Sequence, residues 1–585
     1  MPETAAAVQI ANLIHDGFDT FYSEFKRLTR ECRQWFDNRE WIRMHEESHA
    51  RIDLYQRFVR RTLDALDREF GEVPKDRETW RGAHRHFAIV TAERPDREVA
   101  ETFFNAISRK TFRTVGVNKD IEFLENHVGE RLNEAPIFRR LPPTDDLAGM
   151  FRRVLSTPRP ALAWVHRDAE ADYLAMRLAA QLRHAWGGLE FDHIDVLPVL
   201  FFRVREAYIV GRVVRDGHVM PLVIPLQSTP DGVVVDGAIF SLEETLAVFS
   251  STRAYMFVDV HQPSDLARFL GTLMPNLTLS ELYVAFAHHR HGKTLIYREL
   301  VDFLAHSDDK FIIAPGIRGL VMTVFTMPNY GNVFKIIRDS FDKPGATRPA
   351  IMQSYRDVFR GRRVGRLADT QEFEHLAFDR SRFTESCLQE LLEKASNTVR
   401  VVGDKVVVSH LYIEEKLTPL NIYLDEAPAE KAAAALVDYG DAIKELAANN
   451  IFAGDLLWKN FGVTEYGRCV LYDYDEIAPL LSCNFRDIPE PKTYEQEMAA
   501  TPWYPIAPED VFPEEWAPFV VPRDPGLSQA FRDAHADLLT AQLWRKKQHA
   551  VLAGELQVGL PYSPRYPALQ AAPTIAPRDA AMTST

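Results

Sequence analysis

Cysteine is scarce. Cys32, Cys387, Cys469 and Cys483 are the only four in 585 residues, and no two form a C-x-x-C pair. Thiols so few and so far apart make neither a disulfide framework nor a cysteine zinc site, and they fit a reducing, cytoplasmic setting. Long apolar runs are missing as well. The strongest, Val196–Val204, is interrupted by Pro198 and Arg203, and it falls short of the roughly 18 residues that span a bilayer. The opening M-P-E-T-A-A-A lacks the charged and apolar regions of a signal peptide, so no membrane partner is expected. Positive charge is also short, with 69 Lys and Arg against 83 Asp and Glu, a net −14. Nucleic acid is therefore not the expected partner, since phosphate backbones call for a concentrated basic surface.

What is present reads as ordinary globular protein, 46% hydrophobic and 26% charged. The chain is too long for one hydrophobic core, and about two to four domains are expected. The fold class reads as α+β: a mostly helical domain over 1–308 with a small β-meander, a bilobal kinase-like domain over 309–559, and a disordered Ala- and Pro-rich tail over 560–585.

Apolar residues from Ile10 to Phe36 fall at helical spacing, and a second helix follows through Ile52, Tyr55, Val59, Leu63, Leu66 and Phe70. Within it His45-Glu46-Glu47-Ser48-His49 matches the H-E-x-x-H zinc pattern. Glu47, Ser48 and Arg51 read as solvated, so a charged helical face is the better reading. Between Val196 and Phe240, β-branched and aromatic runs broken by Asp216-Gly217 and Asp231-Gly232 predict an antiparallel meander. Helical patterns resume from Ser264 to Ser307. There His288-His289-Arg290-His291-Gly292-Lys293-Thr294 ends like a phosphate-binding P-loop but has Ala287 where the first glycine belongs, so it reads as a polar helix end.

After Ser307 the texture turns strand-rich. Two apolar runs flank Pro328-Asn329-Tyr330-Gly331, the first opening with Gly316 and Gly319, the second carrying Lys335. A glycine-bearing hairpin followed by a strand lysine is how the small lobe of kinases covers the phosphates of ATP. Ile351–Lys394 reads as helical, and Glu372, Glu374 and Glu390 are the candidates to pair with Lys335. Val401–Leu424 reads as two strands with a hinge, and Ala429–Asn449 as a helix that delivers the chain to Asp455.

The stretch Asn450–Ile477 carries the chemistry. Asp455 and Asn460 are five apart, and Asp473 follows after a strand, a turn and a strand. Phosphoryl transfer needs one carboxylate to orient the acceptor hydroxyl and oxygen ligands for Mg²⁺ on the phosphates. Asp455 is thus the expected base, with Asn460 and Asp473 as metal ligands. The local words depart from protein kinases: Ala453-Gly454 replaces His-Arg before the aspartate, and Asp473-Tyr474-Asp475 replaces D-F-G. Leu457 stands where a lysine is usual, so Lys459 is expected to reach the γ-phosphate. Asp475 adds a carboxylate beside the metal and is expected to serve hydrolysis more than transfer. Loosely similar words occur in aminoglycoside and choline kinases, which makes a small-molecule phosphotransferase the alternative.

Longer motifs narrow the choice. Ala314–Pro328, V-F-K-I-I-R-D, Arg363–Glu374, H-L-Y-I-E-E-K, I-F-A-G-D-L-L-W-K-N-F-G-V, Y-D-Y-D-E-I, Asn484–Pro489 and Pro508–Trp516 together resemble the bacterial isocitrate dehydrogenase kinase/phosphatase family. The resemblance spans about 310 to 520 and is looser toward the N-terminus. It implies an enzyme that phosphorylates a serine of isocitrate dehydrogenase and removes the phosphate at the same ATP-dependent site, switching carbon between the tricarboxylic acid cycle and the glyoxylate bypass. It also implies a regulatory N-terminal half and AMP as allosteric effector. Carried over, Ala314, Pro315, Gly316, Ile317, Arg318, Gly319, Leu320 and Lys335 bind ATP, Mg²⁺ (with Mn²⁺ as a substitute) sits on Asn460 and Asp473, and Asp369 serves the phosphatase. Residue chemistry alone would make Asp369 a helix cap. Cys483–Thr501 resembles the loop that contacts the dehydrogenase. Partners are then the dehydrogenase, ATP/ADP and AMP, with the oligomeric state open, a homodimer included.

Overall fold

The computed structural model describes residues 4–553 and 562–566, apart from 72–74, 126–135, 204, 251–255, 342, 344, 362–364 and 500. The N-terminal half begins with four helices, Ala5–Asn38, Trp41–Phe70, Arg77–Thr91 and Arg97–Phe112. Their spacing puts Phe18, Phe21, Tyr22, Tyr55 and Phe103 on facing stripes, which close into one aromatic core. The H-E-x-x-H stretch lies on the second helix, and the side chains of His45, Ser48 and His49 fall outside the described residues. Among the described side chains there, Arg51 alone departs from the solvated reading, while Glu46 is exposed and Glu47 half-buried. Arg51 is buried, with its guanidinium 3.8 Å from the Phe25 ring centre and 4.5 Å from that of Phe257.

The meander is a five-stranded antiparallel sheet in chain order, Arg139–Leu141, His193–Arg203, Glu206–Arg215, His218–Thr229 and Gly232–Val235. Asp216-Gly217 and Asp231-Gly232 make two of its tight turns, with Asp216 and both glycines at positive φ. Ala207 and Ile209 enter the core shared with the long helices, while Tyr208 and Val210 enter a second core. That second core is closed by helices Pro263–Leu273, Leu279–Ala285 and His289–His306. Covered on both faces, the middle strands bury apolar residues on both sides, such as Tyr208, Ile209 and Val210 in succession, rather than alternating strictly with polar ones.

The histidines at 288, 289 and 291 are buried rather than a polar helix end. His288 Nε2 lies 3.2 Å from the Tyr22 hydroxyl and His291 Nδ1 2.7 Å from Thr102 Oγ1. Burial holds the His288 imidazole down to about 3, and that of His291 also well below its usual value. They join the first helices to helix 289–306 as neutral rings.

In the C-terminal half, strand Lys405–Glu415 is central. Along one edge it pairs with Thr370–Asp379, and along the other with Val399–Val402 and then Asn332–Ile337, beyond which lie Met322–Thr326 and Ile312–Ile313. Two sequence expectations fail here. Thr370–Asp379 is a strand, not helix. His375 sits at φ 55° and shifts the inward residues from Phe373 to Leu376 and Phe378, so their spacing imitates a helical one. Leu420–Glu426 is a helix where a strand was expected. Helix Ala429–Ala448 carries the second lobe, burying Leu436, Tyr439, Ile443 and Leu446 beside helices Pro525–His535 and Ala541–Leu552.

The end of the chain corrects the tail expectation for five residues. Tyr562–Tyr566 lie as a strap on the N-terminal sheet. The Tyr562 hydroxyl donates to Asp236 Oδ2 at 3.1 Å, the Arg565 amide to Asp236 O at 2.7 Å and the Tyr566 amide to Asp236 Oδ1 at 2.9 Å. Arg565 pairs with Glu170 and stacks on Tyr173. A Cβ at residue 237 would stand 3.1 Å from the Tyr562 ring, so Gly237 makes the seat.

Candidate active site

The two lobes of the C-terminal half enclose a cleft of about 460 Å³. Ala314–Leu320 form its lid as a loop from strand 312–313 to strand 322–326. The loop is anchored by the Ala314 amide on Val324 O at 2.9 Å, and Gly316 at φ 109° turns it over the cleft. Ile317 and Leu320 are 68% and 46% exposed, apolar side chains held out over an open space. Arg318 reaches Glu390 at 3.4 Å.

Lys335 projects from strand 332–337, and its partner is none of the three glutamates expected. Its Nζ lies 2.6 Å from Glu414 Oε2 and donates to Tyr472 O at 2.8 Å. Glu414 is on the neighbouring strand, two residues past the Tyr412 that faces Lys335 in the register and so on the same face of the strand. The signal was H-L-Y-I-E-E-K itself, since the first of its two glutamates falls beside the lysine once the strands are paired. Glu372 instead meets His410 and Glu390 meets Arg318, while Glu374 lines a different cavity. Burial raises the Glu414 carboxyl, and Lys335 opposes that rise. Such a dry pair is firmly placed, because removing either partner strands a buried charge.

Asp455 stands on the loop after helix 429–448, its Oδ1 accepting the Leu457 amide at 3.1 Å. Asn460 ends a 3₁₀ turn, buried, its Nδ2 donating to Asp455 O at 3.2 Å. Strands Phe461–Val463 and Cys469–Leu471 form the hairpin that returns Asp473, and the Tyr472 amide bonds Asn460 O at 3.1 Å. Gly454 explains why no arginine precedes Asp455. It lies at φ 73°, and a Cβ there would come within 2.5 Å of Glu476 O. The loop that carries Asp455 and the D-Y-D-E turn approach each other closely at that point.

Asp455, Lys459, Asn460, Asp473 and Asp475 all line the cleft with the lid and Lys335. Burial raises the Asp473 carboxyl first, and its hydrogen bond with Asp475 raises it further. With Asn460 lining the same cleft, the Asp473 and Asp475 carboxyls are oxygen donors of the kind that can hold a hard divalent cation. Asp475 is held by Lys343, whose Nζ is 2.8 Å from its Oδ2 and 2.5 Å from Glu476 Oε1. Sequence reasoning missed Lys343, because a lysine in a Lys-Pro-Gly loop looks solvated.

Asp369 is not among the residues lining the cleft, and it caps no helix. It leads into strand 370–379 from a segment that runs beside Leu471: the Ala368 amide bonds Leu471 O at 2.9 Å and the Leu471 amide bonds Arg366 O at 2.8 Å. Thr370 Oγ1 donates to Glu414 Oε1 at 2.7 Å and Gln371 Nε2 to Asp369 Oδ2 at 2.7 Å. Asp369 is thus tied through its neighbour to the partner of Lys335. Arg366, clamped by Asp438 and Glu445, fixes this segment to helix 429–448.

Among the described residues no helix is long and apolar enough to cross a membrane. Residues 11–308 match the family model of the isocitrate dehydrogenase kinase/phosphatase (AceK) regulatory domain, and residues 309–564 that of its kinase domain. An isocitrate dehydrogenase kinase/phosphatase of Anaeromyxobacter sp. (strain Fw109-5) is 39% identical over 567 residues, covering 96% of this chain and 98% of that protein. Proteins of the same name from Aromatoleum aromaticum and Polaromonas sp. are 38% and 36% identical, covering 96% of this chain and 95% and 93% of theirs. With the cleft, its paired lysine and its three aspartates in one kinase-like half, the chain belongs to the isocitrate dehydrogenase kinase/phosphatase family.

Proposed function

We infer that this chain performs in the cytoplasm both reactions for which its family is named, using one cleft. It transfers the γ-phosphoryl of ATP to a serine of isocitrate dehydrogenase, and it removes that phosphate, setting flux between the tricarboxylic acid cycle and the glyoxylate bypass. The observation that carries this reading is the convergence of Lys335, Asp455, Asn460, Asp473 and Asp475 on a single cleft.

In transfer, the lid 314–320 covers the nucleotide and Lys335, oriented by Glu414, contacts its phosphates. Asp455 accepts the serine proton as the serine oxygen bonds to the γ-phosphorus and the bond to the ADP oxygen breaks. Lys459 steadies the γ-phosphate. Asn460 and Asp473 hold Mg²⁺ or Mn²⁺, which when bound neutralises charge on the phosphates. In removal, water bonds to the phosphoserine phosphorus, the bond to the serine oxygen breaks, and that oxygen regains a proton. Asp475 and Asp369 are assigned to this direction.

Residues 1–308 take the regulatory role and 309–559 the catalytic one. An AMP effector needs a second nucleotide site, and the cavity of about 440 Å³ between helices 97–112 and 289–306 and strand 370–379 suits it. Arg109, Arg290 and Lys293 offer positive charge there and Tyr297 and Phe373 offer rings. Burial brings Lys293 down to about 8. Within 483–501 the short helix Tyr494–Glu497 and the residue after it present Tyr494 and Met498, 74% and 66% exposed, and suit contact with the dehydrogenase.

The test is to incubate purified protein with Mg-ATP and isocitrate dehydrogenase, following label on the dehydrogenase and its activity, then to add AMP and ADP and follow label release. Label transfer with loss of dehydrogenase activity is expected. No transfer under any nucleotide condition overturns the reading.

A further inference from the structure

Where kinases carry the glycine of D-F-G this chain has Asp475, which adds a second carboxyl beside Asp473 with Glu476 next to it, and the phosphates of a bound nucleotide would add more negative charge to the cleft. Like charges so close do not stay together without a counterion. Lys335 is not available for that, since it is committed to Glu414. Lys343 supplies the charge. It lies on the loop between strand 332–337 and helix Arg348–Gly361, lines the same cleft, and bridges Asp475 and Glu476. Asp475 in turn meets Asp473. Helix 348–361 touches helix 41–70 of the N-terminal half, so the element that follows Lys343 is in contact with the other half of the molecule.

We propose that Lys343 is the positioning residue for phosphate removal: it holds Asp475 turned in toward Asp473 and the reacting phosphate, and it acts on transfer only weakly. This rests on the reading that Asp475 serves hydrolysis. Transfer relies on Asp455, Asn460 and Asp473, of which Asp473 feels the charge of Lys343 without an ion pair to it, whereas removal loses its oriented carboxylate when Asp475 swings out to solvent.

The experiment compares Lys343→Met, Lys343→Arg, Asp475→Ala and the double variant Lys343→Met/Asp475→Ala in the full chain. Methionine keeps the apolar stem and removes only the charge, and melting curves confirm that each variant is folded. Label transfer to the dehydrogenase and label release from the phosphorylated dehydrogenase are both measured at saturating Mg-nucleotide. Lys343→Met is expected to lower kcat of release by about tenfold or more while kcat of transfer and KM for ATP change by less than about threefold. Lys343→Arg recovers most of the release. Adding Lys343→Met to Asp475→Ala changes release by less than about twofold, since a residue acting through another shows no independent effect. Equal loss of both activities in Lys343→Met, no loss of release, or independent losses in the double variant overturns the proposal. If Asp475→Ala itself loses both activities equally, it is the assignment of Asp475 that fails. A selective Asp475→Ala with an unselective Lys343→Met overturns the role of Lys343 alone.

Discussion

Both halves of the molecule bury charge, and they do so to opposite ends. In the N-terminal half Arg203 lies inside the sheet, hydrogen-bonded to Glu206 Oε2 at 2.9 Å, the Tyr208 hydroxyl at 2.6 Å and Val248 O at 2.9 Å. Its hydrogen-bond partners lie in the same strand pair and in the helix packed on it. In the C-terminal half Lys335 and Glu414 are as deeply buried, but they stand at the wall of a cleft into which Asp455 and Asp473 also point. The first arrangement fixes a fold. The second holds groups ready for a charged ligand, and its stability cost is met by the surrounding packing.

The contrast predicts that substitutions in the cleft move rates and those in the closed seams move stability. The largest effect is expected from Asp455→Asn, which should lower label transfer by about 10²–10⁴-fold with an unchanged melting temperature. Glu414→Ala should do both. It leaves Lys335 buried without its counterion, costing about 3–5 kcal/mol in denaturant unfolding and raising KM for ATP; an unchanged unfolding midpoint would count against the pairing. Asp369→Ala should reduce label release by about tenfold or more while transfer persists, and intact release would remove that assignment. Lys459→Ala is expected to slow transfer by about tenfold, the loss of one charged contact to a phosphate.

The smallest effect is on the closed side. His288 and His291 have folded values held below the unfolded one of about 6.5, so the unfolded chain binds more protons as pH falls. Their stabilising contribution is full above pH 6.5 and declines below it, by about 1.4 kcal/mol per pH unit for each ring. His288→Gln should flatten that slope in melts taken between pH 7 and pH 5.

The sequence was most legible where function is written in neighbouring residues. D-x-x-x-x-N, the hairpin after it and the second aspartate specify their own geometry, because a tight turn between two short strands leaves Asp473 little choice of position. The first two helices were legible from their apolar spacing. Legibility failed where the third dimension decides. The partner of Lys335 depends on which strands pair, and three glutamates nearer in the chain to the expected helix were preferred over Glu414. Strand 370–379 was hidden by the left-handed His375. Arg51 and the histidines after Phe286 looked solvated because polarity in sequence does not reveal a seam between helices that also buries aromatic rings. Lys343 gave no signal at all, since what sets it apart is a loop folded back over the D-Y-D turn.

The strap at Tyr562–Tyr566 has a consequence for the energetics of the whole chain. From Ala553 the chain reaches Tyr562 over at most about 30 Å, so the strap meets its seat at Asp236 and Gly237 as part of the same molecule, at an effective concentration in the millimolar range. A cut anywhere between Ala553 and Tyr562 would leave every contact of the seat chemically intact yet make its occupant a free peptide diluted a thousandfold or so. The connection behaves as a belt whose hold comes from the continuity of the chain more than from the strength of its buckle.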